Sequence, residues 1–409
     1  MRSAGTEKVC LATRSGRHPR RQYRDVGLRY RPVSLRPPGI APRLRVRTLT
    51  PARLAGDNPG GALPLGLSVL IAVLSGCQSP APEYWALEAA ESLAVGVEPV
   101  RDETAFFRPT ALGVDGQNSL YVLDSGNDRI QVFDLDGQFK ASLGRSGAGP
   151  GDLSAPEDMW VDADGSLIVA DTGNRRLAFY GADGEPGVST PLEFVPVGLA
   201  GSPDRVYVLR LPTAAMLFGP ETEPLVYAFN RSGMPIDGAV EPTPHPTGIV
   251  YFLANTHRIA ADVSSGFALA DVHVKGRVRR YGSDLVELGG FGVLYKANAL
   301  APLDWLPRHV DEESVQRIAR PILDLRWDPY LSLFWVLAGY VDREADGTWV
   351  QGVEVHRYSA DGDYRGTVPL PIPALRIAPT PDGSLWALDR EGAVRRYRIR
   401  DPEGAATWR

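Results

Sequence analysis

The chain has 409 residues, 44% of them hydrophobic, and a formal net charge of −5 at pH 7. The charge is unevenly distributed: the first 76 residues hold 14 basic and three acidic side chains, and the rest holds 30 basic and 46 acidic ones, a net charge of −16. An acidic protein is repelled by a phosphate backbone, which argues against nucleic-acid binding. No cysteine follows Cys77, which excludes a disulfide framework, a cysteine-based metal site and a cysteine nucleophile from the residues after it.

The N-terminal part contains two segments that we exclude from the fold. We interpret residues 1–61 as a basic extension that is disordered or precedes the true start of the protein. Residues 62–77 read ALPLGLSVLIAVLSGC, an apolar run too short to span a bilayer but of the length of a signal-peptide core. Its last four residues resemble the bacterial lipobox, and this resemblance implies that Cys77 is acylated after cleavage on its amino side.

Acylation of Cys77 would anchor the protein to a lipid bilayer, since several acyl chains on one residue give stable attachment. Residues 78–83, QSPAPE, would then form a polar, proline-rich tether. We therefore expect an exported protein held on the periplasmic or cell-surface side of a bacterial membrane. Its folded part would span residues 84–409.

The folded part contains a phrase that occurs twice. LYVLDSGNDRIQVFDLDG at Leu120–Gly137 is followed by LIVADTGNRRLAFYGADG at Leu167–Gly184, an offset of 47 residues. A fixed period in this range is typical of stacked or radial repeat proteins. Each copy contains short runs rich in valine, isoleucine and aromatic residues, separated by Asp-Gly turns. This pattern predicts a four-stranded antiparallel meander.

Weaker versions of the phrase predict four further units, which contain RVYVLR, GFALAD, SLFWVLA and SLWALD. Six such units packed radially form an all-β, six-bladed β-propeller. Too few residues follow the last unit to supply its outer strand, so we expect part of Tyr84–Pro99 to complete that blade and close the ring. Acidic residues from Asp311 to Glu313, followed by apolar residues at helical spacing, predict a short helical insertion between blades four and five.

The repeat pattern Pro-x-x-apolar, DxDG, LxVAD, GNxRI and Phe/Tyr-x-x-DG resembles the NHL repeat of six-bladed propellers. The match is close in Arg108–Gly144 and Ala155–Gly184, loose in the last unit and poor in the middle three. This resemblance implies a fold more than a function. Similar propellers include peptide-amidating lyases and lactonases that hold a metal in the central channel, so an enzyme of this kind would hold calcium or zinc there.

A set of polar residues recurs at the same place in the two good repeats. Asx side chains cap tight turns, and an Asp–Arg pair ties neighbouring strands together. We therefore predict a structural role for the whole set rather than a ring of ligands. Its members are Asp124, Asn127 and Arg129 in the first repeat, and Asp171, Asn174 and Arg176 in the second.

Candidate ligand-binding residues lie where the repeat breaks down. His273 takes the place of the GNxR loop in the fourth unit, and His257 precedes the first strand of that unit. Insertions in units three to five supply large apolar side chains suited to covering a concave mouth, among them Tyr251, Trp305 and Trp349.

Acidic residues in the second unit are also candidates. Glu157 and Asp158 precede an inner strand, where side chains are expected to point into a propeller channel. No HExxH, HxH or GxSxG pattern occurs after Cys77, so the sequence assigns no catalytic residue and no metal ligand.

Together these features predict a membrane-anchored, extracytoplasmic and monomeric propeller that acts as a binding scaffold. A protein, peptide or glycan partner would dock on the face that carries the insertions. The alternative is a metal-dependent hydrolase or lyase, lactonase-like or amidating-lyase-like, with its site in the central channel.

Overall fold

The computed structural model describes residues 87–88, 105–213, 223–244, 248–262, 266–273, 276–294, 320–339, 342–343, 349–350 and 354–399. The chain divides into two units, Met1–Gly76 and Cys77–Arg409, and all described residues belong to the second. The interpretations of residues 1–61, 62–77 and 78–83, including acylation of Cys77, therefore lie outside the described residues. Within those residues, no helix is both long and apolar enough to cross a bilayer.

Six four-stranded antiparallel sheets form the fold, which confirms the predicted six-bladed propeller. From the inner to the outer strand, blade one consists of Ala111–Val114, Leu120–Asp124, Arg129–Phe133 and Phe139–Leu143, and blade two of Asp158–Val161, Leu167–Asp171, Arg176–Tyr180 and Thr190–Pro191. Blade three consists of Pro196–Gly201, Arg205–Arg210, Val226–Asn230 and Pro235–Ala239, and blade four of His257–Ala261, Phe267–Asp271, Arg277–Tyr281 and Glu287–Gly292. Blade five consists of Ile322–Asp328, Leu333–Ala338, Glu354–Ser359 and Tyr364–Pro369, and blade six begins with Ala374–Pro379, Ser384–Asp389 and Val394–Ile399.

The outer strand of blade six comes from the other end of the propeller. Leu87–Glu88 pairs antiparallel with the third strand of that blade, with Leu87 opposite Ile399 and Glu88 opposite Arg398. This confirms that part of Tyr84–Pro99 completes the last blade. The pairing closes the ring, since it covers an edge that would otherwise be left open.

One α-helix interrupts the β-structure of the described residues, at Gly248–Ala254 between blades three and four. The helix predicted between blades four and five falls on residues 295–319, which lie outside the described part of the chain. Blade five carries an additional two-stranded hairpin, Asp342–Arg343 with Trp349–Val350, between its second and third strands. A short 3₁₀ turn, Ser125–Asn127, follows the second strand of blade one.

The hydrophobic core is divided into six clusters, one at each junction between consecutive blades. Side chains alternate along each strand, so the buried second strand contributes to the junctions on both of its sides. In blade one, Tyr121 and Leu123 pack toward blade two, whereas Leu120 and Val122 pack toward blade six. The junction between blades six and one shows that packing, as well as strand pairing, closes the ring.

The meander gives the propeller two different faces. Tight turns between inner and second strands, and between third and outer strands, lie on one face, which we call the turn face. Gly137 and Gly184 in these turns have φ values of 75° and 80°, as the Asp-Gly signals predicted. In the Asp115–Ser119 turn the positive φ falls instead on Asn118, at 63°.

The opposite face carries every connection from a second to a third strand and every link from one blade to the next. We call it the loop face. The inner strands begin there and the second strands end there. This polarity decides where the insertions of the sequence leave the ring.

Candidate functional site

The recurrent Asp, Asn and Arg set lies at the loop-face end of the second strands. Asp171 is fully buried and accepts hydrogen bonds from the Ser154 N–H at 2.8 Å, Asn174 Nδ2 at 2.8 Å and Arg176 Nε at 2.7 Å. Arg176 in turn donates to backbone carbonyls of the link from blade one, among them that of Asp152 at 2.7 Å. These groups therefore have the structural role that the sequence predicted, and they also tie consecutive blades together, which it did not predict.

Asp124 holds the first repeat in the same way. Its buried carboxylate accepts from the Phe107 N–H at 2.7 Å, Asn127 Nδ2 at 2.7 Å and Arg129 Nε at 2.9 Å. All of its partners are protein groups. A ligand role at either aspartate would require breaking a satisfied hydrogen-bond network.

A cavity of about 180 Å³ lies at the loop-face end of the central channel. The inner strands of blades two to six contribute to its wall, as do residues that follow the second strand of blade three and precede the inner strand of blade four. Its apolar lining includes Val197, Leu209 and Ile259. Its charged lining consists of Glu157, Asp158, Arg210, Arg258, Asp324, Arg326 and Arg376.

Strand register places several of these charges at one level of the ring. The second strand of each blade ends at the position that is Asp124 in blade one and Asp171 in blade two. One residue of each inner strand lies opposite the residue just before that position, and we call these six inner-strand residues the channel level. Two of the six positions hold small residues, two hold aspartates and two hold arginines. In blade order they are Ala111, Asp158, Gly198, Arg258, Asp324 and Arg376.

The two aspartates of this level are occupied by backbone N–H groups. Asp158 accepts from Met159 at 3.0 Å and from Leu199, in the next blade, at 2.9 Å. Asp324 accepts from Leu325 at 3.1 Å and from Ile377, again in the next blade, at 2.9 Å. Each carboxylate thus uses both oxygens to join its own inner strand to the following one.

The three inner-strand arginines are held less completely. Arg258 Nε donates to the Leu323 carbonyl at 3.0 Å, Arg326 Nε to Asp324 at 3.2 Å and Arg376 Nη1 to the Leu375 carbonyl at 2.8 Å. A guanidinium carries five N–H donors. Most donors of these three side chains therefore have no acceptor among the described residues.

The enclosed position of the channel shifts the pKa values of its charged groups. Burial raises the pKa of the Asp158 carboxyl, against the attraction of Arg326 and the Leu199 N–H. Burial lowers the pKa of Arg258 to about 10, and Arg376 acts in the same direction. Burial alone would lower the pKa of Arg326, but the carboxylates of Asp324 and Asp158 raise it. These charges influence one another across the channel.

The sequence-based candidates fall in different places. Glu157 lines the cavity together with Asp158, as predicted, and His257 lines it as well. His273 is buried after the second strand of blade four and is not among the residues of the cavity wall. Trp305 lies outside the described residues. Trp349 begins a strand of the blade-five hairpin, and its side chain is likewise outside the described part.

His257 faces an acidic partner. Its Nδ1 lies 3.2 Å from Asp271 Oδ1, and Asp271 also accepts from Arg277 Nε and Arg279 Nη2, both at 3.1 Å. Burial opposes ionisation of Asp271, but the hydrogen bond from His257 and the two guanidiniums lower its pKa. The imidazole therefore belongs to the structural network at the end of the second strand.

The described residues do not fit the calcium or zinc that a channel enzyme would hold. No group of three or more His, Cys, Asp or Glu side chains that could coordinate a metal occurs within the described ranges. The oxygens of Asp158 and Asp324 already accept backbone N–H groups, and three arginines stand beside them. Calcium and zinc are held by several convergent ligands, and the guanidiniums of the same cavity would repel a cation placed there.

Arg258, Asp324, Arg326 and Arg376 were missed by sequence reasoning. A signal was present for two of them, since Asp158, Arg258 and Arg376 all lie thirteen residues before an aspartate that ends a second strand. The corresponding spacing is 12 residues in blade three, from Gly198 to Arg210, and 14 residues in blade five, from Asp324 to Ala338. In the units where the repeat has decayed, the equivalence of these inner-strand positions becomes visible only from the pairing of the strands.

The comparisons with known proteins agree with the architecture. Residues 109–209 match a family model described as 6-bladed beta-propeller, DUF5128. The protein brain tumor of Drosophila melanogaster is 39% identical over 54 residues, which are 13% of this chain and 5% of that protein. The chain thus matches only a small part of the length of this curated relative.

Similar solved structures include two enzymes. A gluconolactonase of Xanthomonas campestris is 14% identical, with 76% of this chain and 98% of that chain covered and a TM-score of 0.47. Virginiamycin B lyase of Staphylococcus aureus is 11% identical, with 76% and 89% covered and a TM-score of 0.42. Likeness at this level carries no activity over to this chain. By its own strand pairing and core packing, the chain is a six-bladed β-propeller.

Proposed function

We propose that this propeller is a binding scaffold whose partner docks on the loop face, over the mouth of the arginine-lined channel. The observation that carries the proposal is that all four large insertions of the sequence leave the ring at this face. Two of them join a second to a third strand, in blades three and five, and two join consecutive blades. The strands that flank the insertions are Arg205–Arg210 and Val226–Asn230, Pro235–Ala239 and His257–Ala261, Glu287–Gly292 and Ile322–Asp328, and Leu333–Ala338 and Glu354–Ser359.

The turn face offers no comparable surface among the described residues, because its connections are short, and the longest has the nine residues between Tyr180 and Thr190. Insertions on one face of a repeat protein often form its binding face. The cavity reaches the same face, since Leu211 and Pro212 line it and follow the second strand of blade three directly. A partner on the loop face would therefore contact the insertions and the channel mouth together.

The alternative, a metal-dependent hydrolase or lyase in the channel, is less well supported by the donor set. A cation there would meet three guanidiniums, the carboxylate of Glu157 and two further carboxylates that already accept backbone N–H groups. The scaffold proposal predicts that purified full-length protein contains no stoichiometric metal and that its melting temperature is unchanged by EDTA. Zinc-saturated EDTA serves as the control, because it has no capacity left to remove calcium or zinc. One equivalent of tightly held metal, lost together with stability on chelation, would contradict the scaffold.

The docking face is tested by blocking it. In a Cys10→Ala background, Leu211→Cys places a thiol on the loop face, where the native side chain is 41% exposed. Met234→Cys places one in the turn between the third and outer strands of blade three, on the turn face, where the native side chain is 61% exposed. Coupling each thiol to polyethylene glycol maleimide should abolish partner capture for Leu211→Cys and spare it for Met234→Cys. The reverse result would refute docking on the loop face.

We further propose that acylated Cys77 holds the scaffold on a bacterial membrane. The support is the apolar run ending in Leu-Ser-Gly-Cys, followed by a polar, proline-rich segment. Cys77→Ala in the full chain should move the protein from the membrane to the soluble fraction. Cys10→Ala is the matched control and should leave it in the membrane. Membrane retention of Cys77→Ala would contradict the anchor.

A further inference from the structure

We propose that the channel binds a short aliphatic carboxylate, with the carboxylate on the guanidiniums of Arg258, Arg326 and Arg376. This inference rests on the proposed function, since it names the chemical group that a ligand or partner presents at the channel mouth. The group belongs either to a free organic acid or to the C-terminal residue of a docked peptide.

The donors come from one side of the channel. Arg258, Arg326 and Arg376 belong to the inner strands of blades four, five and six, which are consecutive in the ring. Each uses one donor for a protein acceptor at 2.8–3.2 Å. The remaining N–H groups form a set of forks, and guanidinium forks match the planar geometry of a carboxylate.

The acidic residues of the wall leave these donors available. Both oxygens of Asp158 and of Asp324 accept backbone N–H groups, so only one Arg–Asp ion pair, Arg326 with Asp324, forms within this arginine set. Arg210 at the mouth is paired with Glu223. Glu157, which precedes the inner strand of blade two, lines the same cavity. The inner strands of blades four to six contribute three arginines and one carboxylate, Asp324, to the wall, so a ligand carboxylate placed against these blades meets mainly cations.

The neighbouring wall is apolar. Val197 and Leu209 of blade three and Ile259 of blade four line the same cavity as the arginines. A ligand with its carboxylate on the arginines can therefore place hydrocarbon against aliphatic side chains, and burying that surface favours binding. Gly198 of blade three lets the side chains of Ile259 and Leu209 come close to its backbone, since a Cβ there would meet both at 3.2 Å.

The volume of the channel cavity limits the size of the ligand. The cavity measures about 180 Å³, and an apolar protein cavity of roughly 150 Å³ accommodates benzene. A compact acid of about seven non-hydrogen atoms, such as isovalerate, matches this size. A peptide would place only its last aliphatic residue inside, and the rest of the peptide would leave through the loop face.

The experiment uses isothermal titration of the full-length protein with four probes. Isovalerate represents the free acid and N-acetylvaline the C-terminal residue of a peptide, whereas isovaleramide and N-acetylvalinamide lack the carboxylate. We expect at least one acid to bind and its amide to bind at least about tenfold more weakly, the loss expected when charge-assisted hydrogen bonds are removed. The stronger of the two acids identifies the source of the carboxylate.

Variants connect the binding to the arginines. Arg376→Gln should weaken binding of the preferred acid about tenfold or more, and Arg376→Lys should be intermediate because it keeps the charge and loses the fork. Arg365→Gln, which removes an exposed arginine of the outer strand of blade five, is the matched control and should bind like the parent. Arg376 is suited to this test because its hydrogen bond to a protein group is with the adjacent Leu375 carbonyl.

Four results would overturn the inference. Three are no binding of either acid, equal binding of acid and amide, and equal affinity in Arg376→Gln. The fourth uses inorganic phosphate as an additional probe: if phosphate binds as tightly as the acids, the site selects charge alone. The proposed function is tested separately, by coupling polyethylene glycol maleimide to Leu211→Cys on the loop face. Loss of capture in modified Leu211→Cys together with failure of both acids would leave the scaffold standing and remove this inference.

Discussion

Asp324 accepts the backbone N–H of Ile377 at 2.9 Å, and this bond joins the inner strand of blade five to that of blade six. Asp158 makes the same bond to Leu199 between blades two and three, also at 2.9 Å. Asp158 and Asp324, both at the channel level, therefore act as clamps that join consecutive blades. This leaves the arginines as the groups of that level with donors to offer a ligand.

Asp324→Asn should destabilise the protein by about 3 kcal/mol, the cost of removing one partner from a buried ion pair. The variant leaves Arg326 without its carboxylate and weakens the link to Ile377. Asp363→Asn is the control, because the Arg365–Asp363 pair is exposed and should change stability by less than about 1 kcal/mol. Urea unfolding of both variants measures the difference. Equal midpoints would show that Asp324 is not a clamp.

Asp171→Ala should cost at least about 3 kcal/mol of unfolding free energy, because it leaves Arg176, Asn174 and the Ser154 N–H without their acceptor. The same substitution should leave the affinity of the channel for the preferred acid unchanged in the folded protein. Thermal unfolding and titration of the one variant check both statements. A stable protein that has lost its ligand would mean that this repeated aspartate belongs to the binding site.

Asp271 should contribute to the acid sensitivity of the fold. Its pKa is lowered in the folded state by His257 and two arginines, against the effect of burial, so the unfolded chain takes up a proton at higher pH than the folded one. The resulting stability is present above the ordinary aspartate pKa of about 4 and is lost as the pH falls through the lower folded value. Asp271→Asn should therefore show a smaller loss of stability than the parent between about pH 5 and pH 3, measured by urea unfolding. A parallel loss in both proteins would contradict this assignment.

The closing strand should stabilise the ring through its backbone hydrogen bonds. Proline has no N–H, so replacing Leu87 and Glu88 by proline removes donors from the edge of blade six. The melting temperature should fall by about 2–4 °C for each kcal/mol lost. The control replaces Gln78 and Ser79, ahead of this strand, by proline and should leave the melting temperature unchanged. Identical melting of both variants would show that Leu87–Glu88 does not close the ring.

The fold was predictable because its signals are local. The strands were predicted from two near-identical sequence segments and their Asp-Gly turns. The closing strand was predicted because too few residues follow Val394–Ile399 to supply the outer strand of blade six. The helix Gly248–Ala254 was missed, because its seven residues are too few to show a recognisable helical spacing.

The site was harder to predict, because it depends on register between distant strands. Glu157 and Asp158 were recognised from their place in a good repeat, whereas Arg258 and Arg376 lie in units where the phrase has decayed. For Tyr251, in contrast, the sequence suggested a role at the site that the structure does not support. It belongs to an insertion that suggested a ligand-covering surface, yet its side chain is buried in the core between blades three and four.

The central claim is that the channel is a site for a carboxylate. A crystal structure of the full-length protein grown with the preferred acid tests it most directly, with anomalous data collected for bound metals. The account predicts carboxylate density within hydrogen-bond distance of Arg376 and at least one of Arg258 and Arg326, with the hydrocarbon against Val197, Leu209 and Ile259. A metal ion coordinated in the channel, or the acid bound elsewhere with the three arginines free of it, would contradict the account.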